Sequence, residues 1–305
     1  MPVPMVVEGF PDVLDVRFFE ITDGSWPSEP DPVPYYFSQH EATQRQERWS
    51  ALTDMGPTPS FGGVLDFAAP SQGYDVVATN QQYAQGTQVE WELVRFDKFG
   101  IIEERFTELE KGTIRRRNID CFSIFAGAFS IDTSVYNHTE AVALCSNSHT
   151  SASGASTATG FDNQETGALT PLQLKTSYTN FRKFRSDANN PIDGHVPDLL
   201  LVPVDLEDRA DEIVKTVKGL DNANETKNVQ EGRYEVKAEI RLTNTTNYFL
   251  INKMWMKKNL HWFDSLKPKF SRVEDFSTIL ALYRVHMAYM WGYADWRWVL
   301  GHNVS

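Results

Sequence analysis

Basic residues, cysteines and long apolar runs are all scarce in this chain of 305 residues. Its 29 Lys and Arg face 41 Asp and Glu, which gives a net charge of −12. A surface that neutralises nucleic-acid phosphates needs clustered cations, so this balance argues against a sequence-specific reader of nucleic acid. The two cysteines, Cys121 and Cys145, form no CxxC pair and are expected to be free thiols in the core.

A membrane span and an export signal are also missing. The most apolar late stretch, residues 276–298, is interrupted by polar and charged side chains, namely Arg284, His286, Asp295 and Arg297. The first charged residues are acidic, whereas a secretory signal begins with a basic region. We therefore expect neither a membrane partner nor export.

Motifs that carry catalysis are absent as well. The chain has no GxGxxG, GxxxxGK[ST] or GxSxG pattern, and His138, Cys145 and His149 match no structural zinc spacing. We predict no catalytic residue, no cofactor and no metal. The Trp-rich C-terminal part is more typical of a core, although it leaves open a carbohydrate-binding or carbohydrate-active protein.

The first sixty residues are acidic and rich in proline. They hold nine of the fifteen prolines and ten Asp or Glu, against three Arg. The prolines from Pro27 to Pro34 favour extended polyproline geometry. Such a segment either stays loose or lies across a neighbour, and its aromatic side chains favour the second possibility.

A glycine-punctuated segment follows, from residue 57 to residue 97. Its pattern predicts strands at Tyr74–Asn80 and Thr87–Phe96, with a turn near Gln85 and Gly86. An isolated two-stranded ribbon is marginally stable in water, so this hairpin needs support from its own domain or from an adjacent subunit.

The rest of the chain mixes helices and strands without regular alternation, which predicts the α+β class. Residues 99–117 are predicted to form a helix that bends or ends at Gly112. A second helix is capped by Thr170 with Gln173, buries Leu174, Tyr178 and Phe181, and ends at Asn189–Pro191. Later elements are predicted as a strand at Asp198–Val202, a helix at Leu206–Lys218 and strands at Arg233–Leu242 and Asn247–Asn252.

This order of elements resembles the major capsid proteins of tailed bacteriophages, specifically the Mu-like head-subunit branch of the Hong Kong 97 type shell fold. The resemblance depends on the order and spacing of several segments: Tyr74–Val77, Phe99–Glu104, Ala143–His149, Gly167–Thr170, Pro197–Pro203 and Tyr248–Leu250.

The resemblance implies a domain organisation. Residues 1–56 would be an N-terminal arm and 57–98 an extended β-hairpin loop that drapes over a neighbouring subunit. Residues 99–165 and 256–305 would form the peripheral domain with its spine helix, and 166–255 the axial domain.

It also implies a function. The chain would assemble as pentamers and hexamers into an icosahedral shell that encloses double-stranded DNA without sequence-specific binding. The expected partners are other copies, a portal protein, and separate scaffolding and decoration proteins. The protein would be found in the virion after assembly in the host cytoplasm. An encapsulin-type compartment shell is the related alternative.

Nine residues are candidates for contacts between subunits: Trp26, Tyr35, Tyr83, Trp91, Arg95, Arg115, Arg116, Asn222 and Asn224. Some related shells are cross-linked through a lysine of the extended loop. The first lysine here is Lys98, at the base of that loop, so we expect a non-covalent shell.

Overall fold

The computed structural model describes residues 30–63, 65, 67, 72–90, 101–217, 227–275 and 280–304. Among these residues the helices are α1 (Val33–Tyr36), α2 (Ile101–Ala126), α3 (Pro171–Phe181), α4 (Glu207–Lys215) and α5 (Lys253–Asn259), with a 3-10 turn at Val204–Leu206. The strands are β1 (Ser38–Glu41), β2 (Gln46–Leu52), β3 (Gln72–Thr79), β4 (Gln81–Glu90), β5 (Tyr136–His138), β6 (Gln164–Glu165), β7 (Leu199–Val202), β8 (Glu235–Ala238), β9 (Tyr248–Ile251), β10 (Leu260–Asp275), β11 (Leu280–Tyr293) and β12 (Val299–His302).

A four-stranded sheet with the order β1-β10-β11-β4 supports α2. The strands β10 and β11 form a long antiparallel hairpin, β4 is antiparallel to β11, and β1 is parallel to β10. The ring of Phe106 on α2 lies 4.7 Å from that of Tyr283 on β11, which shows how the helix packs on this sheet.

The predicted hairpin between residues 74 and 96 is wrong. The strand β3 pairs with β2 and β5 in a separate three-stranded sheet, whereas β4 pairs with β11. No turn forms at Gly86, which lies inside β4 opposite Arg284. A Cβ atom at Gly86 would come within 3.0 Å of the Tyr283 carbonyl oxygen, so this glycine marks a close approach of two strands.

The helix α2 is longer than the sequence predicted, because it continues through Gly112 to Ala126. A Cβ atom at Gly112 would lie 2.9 Å from the Gln85 Oε1 atom of β4. The glycine therefore lets helix and sheet approach each other and does not break the helix. The apolar residues after the predicted end, among them Cys121 and Phe125, are buried in the core.

The described part of the predicted N-terminal arm is attached to its own subunit. Val33, Tyr36 and Phe37 are buried in the core of their own subunit, and β1 joins the four-stranded sheet. The polyproline prediction is also wrong here, since Pro32 has helical backbone angles and begins α1. A helical turn buries the aromatic rings that an extended chain would leave in solvent.

The third sheet has five strands in the order β6-β12-β9-β7-β8. The strand β7 is buried along its whole length, as its unbroken apolar sequence predicted. The strands β6 and β12 complete this sheet although they lie outside the predicted axial segment 166–255. The strand predicted at Arg233–Leu242 is shorter, because β7 offers only four residues for pairing, and Ile240 beyond it is 80% exposed.

The start of α3 is as predicted, with the Thr170 side chain accepting a hydrogen bond from the Gln173 backbone at 3.1 Å. The Gln173 side chain does not complete a capping box, since it donates to Glu165 at 2.5 Å. Leu174 and Phe181 are buried as expected, but the helix ends at Phe181, before the predicted end at Asn189–Pro191.

Candidate subunit interfaces

The described residues between β2 and β3, 53–63 with 65 and 67, are here called the β2–β3 loop, and they expose large apolar side chains. Met55, Phe61, Leu65 and Phe67 are 56% to 88% exposed, and Leu52 at the end of β2 is 76% exposed. Apolar side chains grouped in this way on one exposed segment indicate a surface that another molecule covers.

The base of this loop is fixed to its own subunit through Asp54. Its carboxylate accepts hydrogen bonds from the Ala188 backbone at 3.3 Å and from the Asn190 side chain at 2.9 Å. Partial burial would raise the pKa of Asp54, but hydrogen bonds from Asn190, Ser186 and Ala188 hold that pKa below its usual value. The loop therefore leaves the subunit from a defined point.

A second candidate surface is a groove of about 460 Å³ between α2, β4 and β11, here called the α2–β4 groove. It brings together three of the residues predicted for subunit contacts, Tyr83, Arg115 and Arg116. Ile119, which is 44% exposed, adds apolar area to the same groove, and Met287, which is buried, lies at its base. The groove thus offers apolar side chains beside two arginines.

One wall of the groove is fixed by a cluster around Asp120. The Arg116 guanidinium lies 4.5 Å from the centre of the Tyr83 ring and donates from Nε to Asp120 at 2.9 Å. The Tyr289 hydroxyl donates to the same carboxylate at 2.7 Å. Burial and the Asp120 charge raise the pKa of Tyr83 to about 12, so its hydroxyl stays neutral at physiological pH. Arg115 pairs with Glu108 at 3.3 Å and is 52% exposed.

Behind the groove, a buried arginine joins three segments of the chain. Arg117 contacts Asp31 and Asp264, each at 3.0 Å. Burial alone would lower the pKa of Arg117, but the two carboxylates raise it, so the side chain stays charged. The position of α2 against β10 and the N-terminal segment is thereby fixed.

Tyr35, another predicted contact residue, is engaged within its own subunit. Its hydroxyl donates to Glu235 at 2.9 Å, and the Lys237 ammonium lies 3.7 Å from the centre of its ring. Burial and the Glu235 carboxylate raise its pKa. Tyr35 therefore attaches the N-terminal segment to β8.

The remaining predicted contact residues lie outside the described residues: Trp26, Trp91, Arg95, Asn222 and Asn224. The sequence reading missed the apolar side chains of the β2–β3 loop. Their signal was present as Met55, Phe61, Leu65 and Phe67 between glycines and prolines, a setting in which no helix or strand would bury them.

The side chains considered for catalysis or metal binding have structural partners. His149 contacts Glu140 at 3.0 Å and Asn163 at 3.1 Å, and its ring stacks on Trp296. Burial raises the pKa of the Cys145 thiol. Within the described part of the chain no three His, Cys, Asp or Glu side chains converge on a possible metal position.

The tryptophans proposed for carbohydrate stacking lie mostly in the core. Trp262, Trp291 and Trp296 are each at most 2% exposed, so they offer no open aromatic platform. Among the helices that the structure describes, none is long and apolar enough to cross a bilayer.

Comparison with known proteins identifies a protein family and a fold for this chain. A family model described as phage capsid protein matches residues 73–300. Among solved structures, the mature capsid of bacteriophage PhiM1 has a TM-score of 0.55 at 9% identity, covering 88% of this chain and 85% of that one. The cyanophage Pam1 capsid gives 0.56 at 9% identity, covering 90% and 91%.

A third solved structure, the capsid of the native GTA particle, has a TM-score of 0.56 at 9% identity and covers 92% of this chain and 96% of that one. At such identities the likeness shows the fold alone. No curated protein matches the chain significantly.

A mixed α+β subunit with a long helix on a sheet is thus the shell fold that the sequence predicted, and the chain belongs to the phage capsid protein family. It is a structural, non-enzymatic protein of the virion capsid.

Proposed function

We propose that copies of this chain assemble as pentamers and hexamers into a closed icosahedral shell around the double-stranded DNA genome of a tailed phage. The observation that carries the proposal is the β2–β3 loop, whose apolar side chains contact little within the subunit that supports them. Family membership and the fold shared with solved phage capsids support it.

The two candidate surfaces suit contacts between identical copies. The β2–β3 loop presents apolar side chains, and the α2–β4 groove presents Ile119 beside Arg115 and Arg116. We propose that the loop of one copy lies over the groove of the next. Because the two surfaces differ, such contacts are head-to-tail and can close into rings.

The domain organisation belongs to the same proposal. Within residues 57–98, the exposed β2–β3 loop would reach a neighbour, whereas β3 and β4 belong to sheets of their own subunit. Residues 99–165 and 256–305 would form the peripheral domain, and 166–255 the axial domain, with Asn222 and Asn224 near the ring axis. The N-terminal arm, residues 1–56, would add contacts through Trp26.

We further propose assembly in the host cytoplasm with a portal protein and with separate scaffolding and decoration proteins. The net charge of −12 supports a shell that encloses DNA without binding it in a sequence-specific way.

Electron microscopy and light scattering of the purified protein test the proposal. We expect closed shells of hundreds of subunits, and DNA inside virion-derived particles would distinguish a phage capsid from an encapsulin-type compartment. A Phe61→Ser/Phe67→Ser variant should assemble poorly while its unassembled subunit melts like the wild type. Ile240→Ser, at a residue that is 80% exposed, is the matched control. A wild-type protein that remains monomeric would overturn the proposal.

A further inference from the structure

The exposed face of α3 is basic. Its exposed positions recur with the helical period over the helix and the turn that follows, and they carry three cations and no acid: Leu172, Lys175, Thr176, Thr179, Arg182 and Lys183. We call these residues the α3 basic face. The dipole of a helix favours cations near its C-terminus, but this stabilisation of the helix does not explain why three cations share one exposed face.

The cations of this face have no carboxylate partner in the described residues. Arg182 lies 5.8 Å from the centre of the Tyr178 ring, and Arg233 lies 4.2 Å from the same ring, which adds positive charge beside the face. Such a concentration of one sign is unusual in a chain whose net charge is −12. It predicts an acidic partner.

An acidic surface of matching size lies at the start of α4. Asp205, Glu207 and Asp208 are exposed, and none forms an ion pair with another described residue. The acids of the next turn differ, since Asp211 pairs with Lys215 and Glu212 with Arg209.

Each of the two surfaces also exposes one apolar side chain. Leu172 on α3 is 74% exposed, and Val204, just before α4, is 50% exposed. A contact between the surfaces would therefore combine a small apolar centre with charged groups around it, which is the usual composition of protein interfaces.

The two helices contact different strands of the five-stranded sheet, although Tyr178 of α3 also lies near Arg233 and Tyr234, just before β8. On α3, Ser177 contacts His302 of β12 at 3.1 Å and Asn180 contacts Glu165 of β6 at 2.9 Å. The helix α4 packs on β7 and β8, at the other edge. The basic and acidic surfaces thus lie on two different helices of one subunit, so a contact between them would join two copies head to tail.

We propose that the α3 basic face of one copy binds the acidic start of α4 on the next copy, and that this contact holds neighbouring subunits together within a ring. The inference rests on the proposed shell function and names the partner surface within it. DNA phosphates are the competing partner for a basic face, but the exposed acidic start of α4 offers the complementary charge on a second copy.

Charge reversal and rescue test the contact. A Lys175→Glu/Arg182→Glu variant places acid against acid and should raise the subunit concentration needed for shell formation by at least about tenfold at low salt. Glu207→Lys/Asp208→Lys should do the same by placing base against base. The chain that carries all four substitutions should assemble at nearly the wild-type concentration.

The controls separate this inference from folding and from the shell function itself. Lys257→Glu/Lys267→Glu makes the same change in charge at exposed lysines elsewhere and should assemble normally. The milder Lys175→Gln/Arg182→Gln variant should give a smaller effect, and salt should reduce all differences because it screens exposed charges.

Three outcomes are decisive. Wild-type shells together with unaffected reversal variants would overturn the α3–α4 contact and leave the shell function standing, whereas a wild-type protein that forms no shells would contradict the shell function. Reversal variants that assemble normally but package less DNA would assign the basic face to DNA and would overturn the contact with a second copy.

Discussion

Arg117 holds three segments of the chain together, because it pairs in the core with Asp31 and Asp264. An Arg117→Met variant would leave two buried carboxylates without their cation. We expect it to lower the free energy of unfolding by about 3 to 5 kcal/mol. Urea unfolding of the unassembled subunit measures this effect.

Arg115→Met is the matched control, since Arg115 is half exposed and pairs with one exposed carboxylate. Its effect should stay within about 0.5 kcal/mol. Equal losses for both variants would show that the Arg117 pairs stabilise the subunit no more than a surface pair does.

His302 makes the subunit sensitive to acid. Its Nδ1 atom lies 3.2 Å from the Gly167 carbonyl oxygen, its Nε2 atom lies 3.1 Å from the Ser177 hydroxyl, and its ring stacks on Tyr248. Burial lowers the pKa of His302 to about 4. The unfolded chain, with a histidine pKa near about 6.5, therefore binds more protons, and the free energy of unfolding should fall as pH decreases from about 6.5 to about 4.

Melting temperatures between pH 7.5 and pH 4.5 check this expectation. In a His302→Gln variant the melting temperature should change less steeply with pH, whereas in His286→Gln this dependence should be kept. A reduced slope should remain, because burial also lowers the pKa of His138, His195 and His261. Parallel curves for the wild type and His302→Gln would assign the acid sensitivity to other groups.

At the scale of elements, the β2–β3 loop should change its accessibility on assembly. Chymotrypsin should cut the unassembled subunit near Phe61, Leu65 and Phe67, which are exposed. In assembled shells the same cuts should slow by at least about tenfold if a neighbour covers the loop.

The Phe61→Ser/Phe67→Ser variant identifies the relevant fragments, since it should lose two of these cuts. Cleavage at the same rate in subunits and in shells would show that the loop stays uncovered, and the loop would then be removed from the proposed interface.

Local patterns predicted where most elements lie but not which of them pair. The buried strand β7, the Thr170 cap and the acidic start of α4 were all readable, because each depends on residues close in sequence. The pairing of β4 with β11 was not, since alternation reveals a covered face and not the strand that covers it.

Gly86 and Gly112 show the same limit. Each was interpreted as a turn or a helix break, because local propensity disfavours glycine inside a strand or helix. Each instead lies where an added Cβ atom would come within about 3 Å of a neighbour, Tyr283 at Gly86 and Gln85 at Gly112. The grouping of Tyr83 with Arg115 and Arg116 in one groove depends on that packing, so the sequence could suggest the residues but not bring them together.

For the whole molecule, the absence of lysine from residues 57–97 of the predicted extended loop predicts a shell without cross-links. No lysine precedes Lys98 in the sequence. After boiling in detergent, the shell protein should therefore run on a gel as a single band at the mass of one subunit. A ladder of covalent oligomers would contradict this prediction, and Lys98→Arg would then show whether that lysine forms the link.

The pairing of β1 with β10 and of β6 with β12 has a consequence for synthesis. Residues 38–41 are synthesised roughly 10 to 45 s before residues 261–264, with which they pair, at ordinary translation rates. During that time the aromatic rings of α1 have no complete core to enter, because that core includes late residues such as Trp262. Met287, which helps to line the α2–β4 groove, is also made late. A chain that ends before β11 would lack one wall of this groove, so we expect the proposed shell to exclude it.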